Sequence, residues 1–90
     1  MKTSHTPGTW HAHDGQIYPE ETGKTLALIP YFDAENKEQE ANALLIAAGP
    51  ELLDALIKAK QLMFAKGLEQ THTMIWDIVC SALTKAGVTP

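Results

Sequence analysis

The stretch EANALLIAAGPELLDAL, Glu40 to Leu56, holds the most apolar run of the chain and interrupts it with Gly49-Pro50. Inside a helix, proline removes one backbone hydrogen bond and its ring collides with the carbonyl one turn back. No single straight helix can therefore cross this stretch. Glycine is a natural helix stop or N-cap, and proline is favoured at the first position of a new helix. A corner between two helices is the preferred reading. The rival is one helix kinked at Pro50.

Both flanks read as helix. Before the break, Ala41, Leu44, Leu45 and Ala48 fall on one face at helical spacing. Ala43, Ile46 and Ala47 are apolar as well, so this helix is expected to be deeply packed. The polar segment DAENKEQE, Asp33 to Glu40, suits a loop entering that helix, with Asp33 or Asn36 as its N-cap. Acidic residues in the first turn complement the helix dipole. After the break, Leu52, Leu53, Leu56, Ile57, Met63 and Phe64 form an apolar stripe that ends at Gly67. A third helix is predicted over about Glu69 to Lys85, with Leu68, Ile75, Ile78, Val79, Ala82 and Leu83 as its stripe. Gly87 is its C-cap candidate, and Val88-Thr89-Pro90 reads as a tail.

The first third has a different period. Thr6-Pro7-Gly8-Thr9 signals a turn, and Trp10 to His13 alternates large and polar residues. Asp14-Gly15 follows, the strongest short hairpin cue in the chain. Gln16-Ile17-Tyr18 is the returning strand, with Trp10 and Tyr18 expected on the core side. Pro19 to Gly23 is a second turn, and Lys24 to Phe32 is a third strand candidate. Pro30 within it argues for an edge strand or an early end. The predicted fold class is α+β: a three-stranded antiparallel β-meander over 9–32, then two to three α-helices over 36–86. All 90 residues are read as one small domain, with 1–6 disordered.

Composition narrows the function classes. The net charge is −4, and the seven basic residues are all lysine. Duplex DNA binding needs a concentrated basic patch, and arginine is the usual bidentate reader of guanine and phosphate. Nucleic acid is therefore an unlikely partner. The single cysteine, Cys80, excludes an intramolecular disulfide. The start, MKTSHTPGTW, has no apolar signal region, and the longest apolar run, Ala43 to Ala48, is far short of a membrane span. A soluble cytosolic protein with no membrane association is expected.

Chemistry-bearing residues are sparse. His11 and His13 would share one face of a strand and are the metal candidates. A structural zinc site wants four ligands, and Asp14, His5 or His72 would have to complete it. Two solvated histidines are the simpler reading. Cys80 lies near the apolar stripe of the last helix and reads as a buried small hydrophobe. The acidic run Asp33–Glu40, with Glu35, Glu38 and Glu40, reads as a solvated helix start or as a surface for a basic partner. Trp76 lies off the main stripe of its helix and is either an interface anchor or a cap on the domain's own core. No P-loop, dinucleotide fingerprint, nucleophile elbow or HExxH is present. The expectation is a non-enzymatic binding module without cofactor.

Two separated motifs carry a family resemblance. HTPGTW at His5–Trp10, followed by DGQIY and GKTLALIP, is one; EANALLIAAGPELLDAL is the other. Together they resemble a family of small uncharacterised proteins of tailed phages and prophages of proteobacteria. Those start with an HTPGPW-like motif and carry an EANARLIAAAPELLEAL-like helix. The chain departs from the pattern at Thr9 (a second proline), Leu44 (arginine) and Gly49 (alanine). The likeness covers the first two-thirds and stops near Leu62.

The resemblance implies a phage accessory product in the host cytoplasm, with no catalytic residue to carry over. The leading expectation is a protein that binds and modulates a host protein, such as a counter-defence inhibitor in host takeover. Its partner surface would be Glu35, Glu38, Glu40 and Trp76. The alternatives are a small DNA-binding regulator and a homo-oligomeric, for instance homodimeric, ligand-sequestering protein.

Overall fold

The computed structural model describes residues 3–88. The elements run β1 (Trp10–His13), β2 (Gln16–Pro19), β3 (Ala27–Leu28), α1 (Lys37–Ala47), α2 (Gly49–Ala65), α3 (Leu68–Thr71) and α4 (Thr73–Lys85). The fold is α+β, a three-stranded antiparallel sheet in the order β1-β2-β3 followed by helices. The chain makes two compact units, one over Thr6–Glu51 and a helical one that begins at Leu52.

In the first unit the hairpin forms where Asp14-Gly15 predicts it. Both residues have positive φ, 52° and 81°, as a type I′ turn requires. The turn sets the register, Trp10 opposite Pro19 and Ala12 opposite Ile17. Gly15 is also required by space: a Cβ there would lie 2.6 Å from Cβ and Cγ of Phe32. The third strand is far shorter than the segment Lys24–Phe32. Only Ala27 and Leu28 pair with β2, and the backbone bonds Leu26 N to Ile17 O and Ile29 N to Gly15 O flank them. Pro30 then has no N–H to donate, and Tyr31 turns into the left-handed region at φ 54°.

Ile17, wholly buried, packs with Ala43 and Ala47 of α1, and Trp10, Ala12 and Ile29 close around them. This corrects the expected face of α1. Leu44, Leu45 and Ile46 are exposed. The helix presents its alanines to the sheet because small side chains let a helix backbone approach closely. Tyr18 is also misplaced by the sequence reading. It lies with His11, ring centroids 5.7 Å apart, because its neighbour Ile17 takes the inward position.

Asn36 is the N-cap of α1, its side chain accepting from the backbone N–H of Glu38 and Gln39 at 3.0 and 3.2 Å. Asp33 does a different job. Its carboxylate accepts from Glu35 N and shapes the preceding turn. α1 ends at Ala47 and α2 begins at Gly49, so the break falls at Ala48, and Pro50 occupies the first turn of α2. There its missing N–H removes no bond the new helix needs.

In the helical unit Val79, Leu83 and Val88 form the buried centre, with Leu53, Leu56, Ile57 and Met63 packed on them. Val88 is thus a core residue rather than part of a tail. Thr89, Pro90, Met1 and Lys2 lie outside the described residues. Of the segment expected to be disordered, 3–6 has no regular structure, yet Thr6 O accepts from the Trp10 indole at 3.1 Å. Gly87, at φ 83°, lets Val88 N bond back to Leu83 O while Gly87 N bonds to Thr84 O. This is a Schellman closure, and its apolar contact is Val88 on Leu83. The predicted third helix is divided. α3 stops at Thr71, and His72, at φ −128° and ψ 57°, leaves helical geometry before α4 starts. The run Thr71-His72-Thr73 is short in strong helix formers.

Two substitutions test these closures. Gly15→Ala forces a side chain into positive φ and into Phe32, and should cost about 1–3 kcal/mol in urea denaturation. Asn36→Ala removes the cap and should cost about 1 kcal/mol in the same measurement, with Asn36→Asp close to wild type.

Candidate functional site

The acidic segment is built by local bonds. Besides the Asn36 cap and the Asp33 turn, the Gln39 side chain spans the loop. Its Oε1 accepts from Asp33 N at 2.6 Å and its Nε2 donates to Tyr31 O at 3.3 Å. These bonds tie the left-handed Tyr31 backbone to α1. The Tyr31 side chain is 97% exposed. A bulky residue at positive φ is unusual, and tyrosine is among the residue types enriched at interface hot spots. Glu35, Glu38 and Glu40 are all exposed on the same loop and helix start. Tyr31 belongs with them. The sequence signal was Pro30-Tyr31 before a charged run, which reads as a strand end until the φ value is known.

Next to this segment lies an open cleft of about 300 Å³, lined in part by Phe32, Ala43 and Leu44 and edged by His13, Asp14 and Glu40. Its size is at the lower end for small-molecule sites. Apolar walls and a rim of two carboxylates and one imidazole suit a small, partly apolar, cationic or hydrogen-bonding ligand.

His11 and His13 alternate with Trp10 and Ala12 along β1. They serve different neighbours. His11 Nε2 lies 3.3 Å from Glu20 Oε1, and both side chains are well exposed. His13 edges the cleft. Among the described residues no group of three or more His, Cys, Asp or Glu is placed to hold a metal ion. Cys80 is half-buried on α4.

Trp76 is half-buried in the helical unit. Its ring lies 6.4 Å from that of Phe64, and Lys60 Nζ is 5.4 Å from the ring centroid, within cation–π range. Both contacts lie within its own unit. Glu35, Glu38 and Glu40 fall in the first unit and Trp76 in the helical one, so the four do not make one site within a unit. No described helix is long and apolar enough to cross a membrane.

A protein family described as Salmonella phage P22 protein Y8K6 matches residues 1–87. The match extends past Leu62, where the motif likeness stopped, and takes in α4. No curated protein and no solved structure matches the chain.

With two imidazoles directed at different neighbours, zinc should find no chelating site. Calorimetric titration at micromolar protein is expected to show no saturable heat, and His11→Ala with His13→Ala should leave the trace unchanged.

Proposed function

Because the chain belongs to the Salmonella phage P22 protein Y8K6 family, we propose that it is a non-enzymatic accessory protein that binds and modulates a host protein. Tyr31 carries the reading. Its ring stands in water on a left-handed backbone that Gln39 holds against α1. Holding a tyrosine this way costs on the order of 1–3 kcal/mol of backbone strain and leaves its apolar area unused within the chain. A partner that takes the ring into a pocket would recover that area. The exposed carboxylates of Glu35, Glu38 and Glu40 around it favour a basic partner surface and would speed encounter with it. A component that handles nucleic acid, including a defence factor, offers a basic surface of that kind.

The cleft favours a second reading, a protein that sequesters a small ligand between Phe32, Leu44 and the rim of His13, Asp14 and Glu40.

Affinity capture from host lysate separates these. The wild-type protein should retain one host protein at stoichiometric level. Tyr31→Ala should reduce that band at least tenfold. Charge reversal at Glu35, Glu38 and Glu40 should slow association and flatten its salt dependence. Equal retention by the variants would sink the assignment of this surface. A bound small molecule in native mass spectrometry, lost in Leu44→Glu, would favour the second reading.

A further inference from the structure

The helical unit buries one face of each helix and leaves a second apolar face uncovered. In α2 the inward row is Leu53, Leu56, Lys60 and Met63 at three- and four-residue spacing, with Ile57 half-buried beside it. In α4 it is Trp76, Val79 and Leu83. Stepping back one residue from each gives Leu52, Ala55, Ala59 and Leu62 on α2, and Ile75, Ile78 and Ala82 on α4. All seven are exposed. Met74, 76% exposed, extends the second stripe.

These stripes lie on the same side of the hairpin. α2 and α4 are joined by the short segment 66–72. Lys60 and Phe64, late in α2, meet Trp76, early in α4, while Leu53 and Leu56, earlier in α2, pack on the cluster of Val79, Leu83 and Val88, so the helices run antiparallel. One residue back is the same rotation, about 100°, on each helix. On antiparallel neighbours, equal rotations seen from one end are mirror images, so both stripes turn toward the same side. The result is one continuous apolar face across two helices. Leu52, Leu62, Met74, Ile75 and Ile78 are each more than half exposed. With the three exposed alanines they form an apolar patch of the kind that marks an interaction surface.

We propose that this face is covered by a second copy of the chain, making a two-fold dimer with a four-helix core. The α2 stripe identifies the occupant. Leu52, Ala55, Ala59 and Leu62 are spaced three, four and three residues apart and read the same from either end. Two copies of α2 crossing antiparallel would set Leu52 against the partner's Leu62, and Ala55 against the partner's Ala59. The alanines at the centre allow close approach and the leucines close both ends. Such a self-complementary surface is what an isologous interface needs. The flanking charges Asp54 and Lys58 pair with each other at 2.9 Å. The proposal is independent of the host-binding reading, which uses the first unit.

Sedimentation equilibrium of the full chain from about 1 to 100 µM tests it. The expected result is a dimer. Ala59→Glu should weaken it at least a hundredfold while helical circular dichroism is retained, and Gln61→Glu, off the stripe, should leave it intact. A monomer throughout the range overturns the proposal and leaves the face to another protein. A dimer indifferent to Ala59→Glu also overturns it. Should Ala59→Glu fail to fold, cysteine pairing decides. In a Cys80→Ser background, a mixture of Ala55→Cys and Ala59→Cys chains should form the mixed disulfide in preference to either homodisulfide. Absence of that preference overturns the antiparallel contact.

Discussion

Ile17 is sealed between the returning strand of the hairpin and the alanine face of α1, and the first unit is organised around that contact. The hairpin must hold a fixed register for Ile17 to point inward, which the type I′ turn at Asp14-Gly15 ensures. The helix must come close, which Ala43 and Ala47 permit. The chain must then pass over Gly15 closely enough for Phe32 to lie against it, which only the absence of a Cβ allows. With a buried centre of three residues, the unit has little surplus, so each of these local devices matters to it. The positive φ of Tyr31 follows from the same constraint. The loop must leave the sheet after Pro30 and still enter α1 at the Asn36 cap.

The helical unit solves a similar shortage differently. Val79, Leu83 and Val88 make its centre, and Val88 reaches it only because Gly87 reverses the chain. The two main helices carry more apolar surface than one hairpin contact can use. That excess is the physical basis for the proposed partner layer, and the symmetry of the α2 stripe is the ground for proposing a second copy. The first unit carries the other unused surface, the Tyr31 ring and the carboxylates around it. Phage origin gives the host-binding reading its setting, and the exposed ring gives it a place.

Much of the secondary structure was legible because it depends on neighbours in sequence. Asp14-Gly15, Asn36, Gly67 and Gly87 act where they stand, through φ values and capping bonds. Pro50 marked the helix break to within two residues. The errors came where several faces were eligible. Leu44 and Leu45 looked like the core of α1, yet alanines pack closer to a sheet than leucines do. Ile75 and Ile78 looked equivalent to Val79, yet one hairpin partner covers one side only. Of the candidate site, the acidic segment was visible as composition. Tyr31 was not, because a left-handed tyrosine has no sequence signature.

By itself, then, the sequence determined the order of sheet before helices, the hairpin turn, the helix caps and the membership of a small phage protein family, since the local features rest on residues a few positions apart. Tertiary structure alone decided which apolar stripe is buried, that the α2 and α4 surpluses share one side, and that Tyr31 stands in water. Those outcomes depend on which surfaces meet in space. A helix with apolar residues on most of its circumference carries no local mark of the face its neighbour will choose.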